Sequence, residues 1–353
     1  MRRIPKAASI LLLGGILAGC ASSPTFLSPS SRISADETWL YTLVMIMSVF
    51  VFLLVEVLLI YNIIRFRRKP GDDTPATQIY GNTRLEIIWT SIPVLLVATL
   101  FALTLRTARA VAAPVTKTAQ SINVHVIGHQ WWWEFDYPDL GIVTANELHV
   151  PVNTNVYITL DSVDVIHSFW VPQLSGKTDV IPGQTNHMWF RADETGDYHG
   201  QCAEFCGLNH ANMRIKVVVE TNDDFKAWAK NQQQPPAQPQ TADQQQGYKI
   251  LTTGICSNCH QLKNTVVPPG QNSSAPPSNT PGNGAYTVAR PVGPNLGHLM
   301  SRSVFAGATF DLNEANLRRW LMDNQHMKPG NDMSLNPKPD ELEPLIAYLT
   351  SLK

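Results

Sequence analysis

The sequence predicts a multidomain membrane protein: a two-helix hairpin in the bilayer, then a small β-sandwich or barrel, then a helical unit. Three observations predict it. Two apolar runs, 40–64 and 87–105, are each long enough to cross a hydrocarbon core of about 30 Å as a helix. Between residues 121 and 219 the pattern turns to short strand-like runs separated by turn residues. Beyond a Gln/Pro-rich stretch at 231–246, helical patterning returns near the C-terminus. A chain of 353 residues has room for two or three folded units.

Arg2, Arg3 and Lys6 precede an apolar run at 7–18 that is too short to span a bilayer and ends in Leu17-Ala18-Gly19-Cys20. Residues 1–19 therefore read as an export signal. The pattern resembles a bacterial lipoprotein signal with Cys20 as the lipidated new N-terminus; the alternative is an ordinary signal or uncleaved anchor with an incidental cysteine. Residues 20–112 hold the N-terminal segment and the hairpin. Trp39 and Tyr61 flank the first span as interfacial aromatics. Arg65, Arg67, Arg68, Lys69 and Arg84 lie between the spans, which places that connection in the cytoplasm and everything from about Arg106 onward outside. Glu56 inside the first span calls for a polar partner in a neighbouring helix or for a functional role. Pro93 predicts a kink in the second span.

Runs at 122–126, 155–160 and 214–219 read as strands, with turns at Pro182-Gly183 and at 194–197. Domain 113–230 is thus expected to be a β scaffold carrying ligands on loops at one end. A short helix is expected at 223–230. Residues 231–246 cannot build a core and should form an extended tether. Residues 247–353 form the third unit, with helices at 314–323 and 340–352 and a Pro/Gly/Ser/Asn-rich insertion at 266–285 expected to be a mobile surface loop.

The segment Cys202-Ala-Glu-Phe-Cys206-Gly-Leu-Asn-His210-Ala-Asn-Met213 offers two thiolates, an imidazole and a thioether within twelve residues. Soft ligands at this density suit copper, and two cysteines four apart can bridge a pair of copper ions. The competing reading is a Cys202–Cys206 disulfide beside an unrelated histidine. A symmetric copper pair needs one further histidine from another segment, and His167 in Val165-Ile166-His167-Ser168-Phe169-Trp170 is the choice, with Trp170 helping to keep the site dry. His125, His129, His149, His187, His199 and His298 are expected to be buried and satisfied by backbone.

Cys256-Ser-Asn-Cys259-His260 is a C-x-x-C-H motif, the pattern of covalent c-type haem attachment with the histidine as axial ligand. A thioredoxin-like redox pair would need a βαβ context that is absent. A methionine opposite the histidine suits an electron carrier, and Met322, Met327 and Met333 are candidates; Met333, in the loop 328–333, is preferred. Of the five cysteines none is left over for a structural disulfide, and a net charge of −1 argues against a nucleic-acid partner.

With Leu85-Glu86-Ile87-Ile88-Trp89-Thr90, Gly128-His129-Gln130-Trp131-Trp132-Trp133, Lys177-Thr178-Asp179 and Ile181-Pro182-Gly183, these motifs resemble subunit II of haem-copper cytochrome c oxidases, in the caa3-type form with a cytochrome c domain fused at the C-terminus. The resemblance implies a cupredoxin-like CuA domain followed by an all-α class I cytochrome c domain. It implies His167, Cys202, Cys206, His210 and Met213 as side-chain ligands of dinuclear CuA, with Glu204 contributing its carbonyl. The Glu204 carboxylate would also help hold Mg²⁺ at the boundary with subunit I. Glu86 would stand at the mouth of a proton pathway, and Trp131 would receive electrons on their way to CuA. Cys256, Cys259, His260 and Met333 would hold haem c, with Gly293-Pro294-Asn295-Leu296 as the loop on the haem side. Ser334 departs from the proline that usually follows the axial methionine.

The activity implied is electron input from a periplasmic cytochrome c or a quinol:cytochrome c reductase to catalytic subunit I, which reduces oxygen to water and pumps protons. The partners implied are subunit I, other oxidase subunits such as subunit III, and membrane lipid. The location implied is the bacterial cytoplasmic membrane, with the C-terminal domains in the periplasm and a lipid anchor at Cys20. Two alternatives stand beside it: an input subunit of a denitrification enzyme, and a free-standing membrane-tethered electron shuttle. The retained copper ligands disfavour a quinol oxidase subunit.

Overall fold

A computed structural model of the chain describes residues 24–68, 70–71, 75, 78, 80–112, 121–264, 293–333 and 336–353. The export signal with Cys20, Lys69, the insertion at 266–285 and Ser334 lie outside the described residues.

Residues 35–116 make one unit. It is built on helices α1 (Arg32–Arg65, 34 residues) and α2 (Thr83–Ala112, 30 residues). At 1.5 Å per residue these reach about 51 and 45 Å, so each apolar span continues as helix into its polar flanks. Asn82 starts α2, its side-chain oxygen accepting from the backbone N–H groups of Arg84 (3.1 Å) and Leu85 (3.3 Å). The helix runs on through Pro93. Large apolar side chains such as Phe52, Ile63, Ile92 and Phe101 point outward all along the pair, as lipid-facing helices require.

The second unit comprises residues 1–34 and 117–353. Its first part is a β-sandwich. One sheet has the order β3-β2-β1-β5-β8: β1 (Ile122–His129), β2 (Trp132–Tyr137), β3 (Ile142–Ala145), β5 (Val156–Ser162) and β8 (Asn186–Phe190). The other has the order β4-β10-β9-β6-β7: β4 (Glu147–Pro151), β6 (His167–Trp170), β7 (Thr178–Val180), β9 (Gly196–Cys202) and β10 (Arg214–Glu220). Val126, Trp133, Phe135, Phe169, Ile215 and Val217 fill the space between them. Strand β9 alternates cleanly: Tyr198, Gly200 and Cys202 point in, while Asp197, His199 and Gln201 point out. That period of two turns the sulfur of Cys202 toward the core at the strand's last residue.

Four helices follow. Thr221, Thr241 and Asn313 cap α3 (Asn222–Gln232), α4 (Ala242–Thr253) and α5 (Glu314–Met327) through their side-chain oxygens, and a proline opens α6 (Pro339–Leu349). Helical dihedrals in α5 break at Asp323, where the sequence pattern ends. Helix α4 lies against α6 so closely at Gly247 that a Cβ there would meet the Pro344 carbonyl oxygen at 2.0 Å. Leu251, Leu299, Leu317, Leu321 and Leu345 complete this smaller core.

Two expectations need correction. The third unit is not wholly helical among its described residues, because β11 (Val304–Phe305) and β12 (Phe310–Asp311) form a short hairpin. The segment expected at 231–246 as an extended tether is shorter, and it is held against the C-terminal part. Helices α3 and α4 take its two ends, the carbonyl of Gln234 accepts from His298 at 3.0 Å, and that of Ala237 accepts from Tyr348 at 3.2 Å. Its glutamines and prolines add little to a core, but their backbone carbonyls remain strong acceptors.

Candidate functional site

At one end of the sandwich, the last residue of β9 (Cys202), the first residue of β6 (His167) and the loop after β9 converge. The donor atoms of His167, Cys202 and Cys206 lie within 4.8 Å of one another, and all three residues are buried. His167 Nδ1 is 3.8 Å from Cys202 Sγ, the two sulfurs are 3.8 Å apart, and Cys206 Sγ is 3.6 Å from His210 Nδ1 and 3.8 Å from Met213 Sδ. Such separations suit pairs of donors each about 2.0–2.3 Å from a shared first-row metal ion. The sequence-predicted set thus comes together, with both cysteines free. Glu204 adds its carbonyl 3.3 Å from Cys202 Sγ, while its side chain faces outward.

The electrostatics favour a thiolate. A hydrogen bond from the Cys206 thiol, reinforced by His167, pulls Cys202 down to about 3 against the effect of burial. Cys202 in turn, with burial, pushes Cys206 up. Burial alone would lower His167, but Asp164 and Cys202 outweigh it and raise its pKa. Asp164 Oδ1 lies 2.8 Å from His167 Nε2, which fixes the ring and leaves Nδ1 facing the sulfur. Sequence reading missed Asp164; a carboxylate three residues before a candidate ligand histidine is the signal that could have found it. The aromatic ring that packs on His167 is Trp133, at 5.8 Å, rather than the expected Trp170, since the pleat of β6 turns Trp170 away from the core that Phe169 fills.

The remaining histidines divide. His298 is satisfied by backbone, as expected. His125 and His129 face carboxylates instead, at 2.7 Å from Asp161 and 2.9 Å from Glu134; His149 is 3.3 Å from Glu220, and His187 and His199 are exposed.

Trp131 touches both this cluster and a cavity shared with the C-terminal part. Its indole N–H donates to the Cys206 carbonyl at 2.9 Å, and Gln130 Nε2 donates to the same oxygen at 2.7 Å. Trp131 also lines a cavity of about 720 Å³ that Cys256, Cys259, His260, Met333 and Arg302 line from the C-terminal part. His260 Nδ1 donates to the Pro294 carbonyl at 2.8 Å, and a Cβ on Gly293 would come within 2.6 Å of the same ring, so the loop 293–296 fixes the imidazole. Burial lowers the pKa of His260 and keeps the ring neutral. Of the three candidate methionines, Met333 lines the cavity, held by Trp320 Nε1 at 3.3 Å from its sulfur; Met322 is exposed and Met327 lies outside the lining. The Arg302 guanidinium is buried here, with Nη2 donating to the Asn295 carbonyl at 2.7 Å and Nε unpartnered among the described residues. Burial draws its pKa down to about 10. Glu86 is exposed in the first turn of α2.

Two family models match the chain: the transmembrane domain of cytochrome c oxidase subunit II over residues 21–106, and its periplasmic domain over residues 142–221. Cytochrome c oxidase subunit 2 of Alkalihalophilus pseudofirmus is 36% identical over 348 residues, covering 96% of this chain and 94% of that one. The chain belongs to the cytochrome c oxidase subunit II family. The subunit 2 of Bacillus subtilis is 32% identical over 358 residues, again 96% of this chain and 94% of that one. Quinol oxidase subunit 2 of Bacillus spizizenii is 32% identical over 229 residues, 64% of this chain and 71% of that one. The crystal structure of the periplasmic domain of subunit II of the cytochrome oxidase of Bradyrhizobium japonicum is 34% identical, with a TM-score of 0.32, covering 34% of this chain and 96% of that one.

As subunit II of a haem-copper oxidase, the chain is a membrane-anchored partner of subunit I. Its sandwich is the CuA-type domain, with the His167, Cys202 and Cys206 cluster as the candidate copper site.

Proposed function

We propose that this is a caa3-type subunit II, in which residues 247–353 form a fused cytochrome c domain and 113–230 the CuA domain. The chain accepts electrons one at a time from a periplasmic cytochrome c or similar donor and delivers them to subunit I, which reduces oxygen and translocates protons. The single observation that carries the reading is the double contact of Trp131, which lines the cavity bearing Cys256, Cys259 and His260 and hydrogen-bonds the backbone of Cys206. A second support is coverage: the cytochrome c oxidase relatives above match 96% of the chain, the quinol oxidase relative 64%.

The residues fit the groups. Cys256 and Cys259 would form the thioethers, His260 and Met333 the axial pair, and the unpartnered Nε of Arg302 suits a haem carboxylate. His167, Cys202, Cys206, His210, Met213 and the Glu204 carbonyl would hold two copper ions. When bound, the haem and the copper pair supply reversible one-electron chemistry. Asp164 holds His167 in place, Trp133 and Phe169 exclude water from its inner side, and Trp131 with Gln130 ties the cavity wall to the copper loop.

Exposed Phe205 and Leu208 flank the copper loop with Glu204 and suit a face that meets subunit I, where Glu204 would share a Mg²⁺ ion. Glu86 would stand at a proton-pathway entrance. Export and lipidation at Cys20 would put both C-terminal domains in the periplasm. The test is a reductive titration of the purified membrane complex, following c-haem and near-infrared CuA absorbance together with oxygen uptake. Both centres should titrate, and Cys202→Ser should abolish the CuA band and oxygen uptake. Absence of a CuA band in metal-replete wild type would refute the reading.

A further inference from the structure

Lys328 ends α5, and its ammonium group is buried, only 4% exposed. Nζ lies 3.0 Å from each of three carbonyl oxygens: Trp131, in the turn between β1 and β2; Asn212, directly before Met213; and Ala306, in the β11–β12 turn. Three acceptors match the three N–H groups of an ammonium, whereas a neutral amine has two. Two of those carbonyls belong to the copper domain and one to the C-terminal part. The turn that supplies the third is shaped for the approach: Gly307 has φ +75°, and a Cβ there would meet Asn212 O at 2.6 Å, Lys328 Nζ at 2.7 Å and Trp131 O at 2.8 Å.

Other bonds cross the same seam. Arg214 N donates to Gly307 O at 2.8 Å, Thr309 Oγ1 to Asn212 O at 3.0 Å and Asn209 Nδ2 to Pro329 O at 3.0 Å. Ser303 donates twice to the buried Glu147 carboxylate, at 2.7 and 2.6 Å. Lys328 alone among these reaches the backbone of both Trp131 and the residue before Met213.

We infer that Lys328 is a positioning residue for electron delivery: its ammonium fixes the register between the C-terminal domain and the copper loops, holding the Trp131 backbone against the copper-domain turn. A buried charge met by carbonyls in place of a carboxylate is poor value as stability and suits specification of a single arrangement. The inference rests on the cavity being the haem site, and its test separates the two.

In purified oxidase, Lys328→Met should raise hydrogen exchange at the Arg214 amide, whose bond to Gly307 crosses the seam, by about tenfold, the equivalent of one lost charge-assisted hydrogen bond. Electron transfer from c haem to CuA should slow while both absorbance spectra keep wild-type values and the thermal midpoint does not fall. In Lys328→Ala, added propylamine should restore the rate and propanol should not. Wild-type exchange and rate in Lys328→Met, or a slowed Lys328→Ala indifferent to the amine, would overturn the assignment. A wild-type chain lacking covalent haem would overturn the cavity reading instead, and the Arg214 exchange would still decide Lys328.

Discussion

The indole N–H of Trp131 donates to the carbonyl oxygen of Cys206 at 2.9 Å, which places a wall of the C-terminal cavity one hydrogen bond from the copper loop. Gln130 shares that acceptor at 2.7 Å, so the two side chains form one connection.

Trp131→Phe keeps an aromatic wall and removes the donor. Losing about 1 kcal/mol of hydrogen bonding from the coupled geometry corresponds to roughly a fivefold slower step. Flash reduction of c haem, followed at the CuA band, should show that slowing with both spectra unchanged. Adding Gln130→Ala should slow it further, because the residues share an acceptor and their effects are coupled.

Arg302→Leu removes a buried cation from the wall beside His260. The oxidised haem carries the extra positive charge, so loss of the guanidinium favours oxidation and lowers the midpoint potential. The drop should be on the order of 60 mV, the one-electron equivalent of a tenfold change in equilibrium constant. Spectroelectrochemical titration of the haem checks it; an unchanged midpoint would place Arg302 outside the haem's field.

Gly247→Ala tests the smaller core. In an exposed helix this change gains up to about 1 kcal/mol, but here the new Cβ meets a backbone carbonyl at 2.0 Å, and overpacking of that kind costs roughly 1–3 kcal/mol. The thermal midpoint of the C-terminal domain, followed by haem absorbance, should fall. The CuA band should melt at its wild-type temperature.

The pH dependence has a definite sign. Burial lowers the Lys328 pKa from an ordinary 10.5 to about 7, opposed by the nearby Cys206 and Asp332. As pH rises through 7 the ammonium loses its third donor, so haem-to-CuA transfer should slow, and the Lys328→Met variant should show a flat profile. Stability moves the other way. The unfolded chain binds the extra proton between pH 7 and about 10.4, so unfolding free energy rises with pH across that window. Opposite trends in rate and melting temperature would separate positioning from stability.

The hairpin was legible because apolar length is a one-dimensional property, and the copper loop because Cys202, Cys206, His210 and Met213 are neighbours in sequence. His167 was reachable by chemistry, since a soft site short of one imidazole must recruit it from another strand. Arg302 and Lys328 were not legible, and Asp164 was missed although its place three residues before His167 could have signalled it. Each acts through burial and through backbone oxygens or a single imidazole, and nothing in a lysine's neighbours in sequence announces three carbonyls up to 197 residues away. The tether misled for a related reason: glutamine and proline describe what a segment cannot bury, while the carbonyls of Gln234 and Ala237 decide where it lies.

The proposed coupling of haem c and CuA through Trp131 is read most directly by photoreducing c haem in the purified oxidase and recording haem oxidation and CuA reduction in the same flash. One shared rate constant in wild type, still shared but slower in Trp131→Phe, is the predicted result. Haem oxidation with no matching change in the CuA band would contradict it.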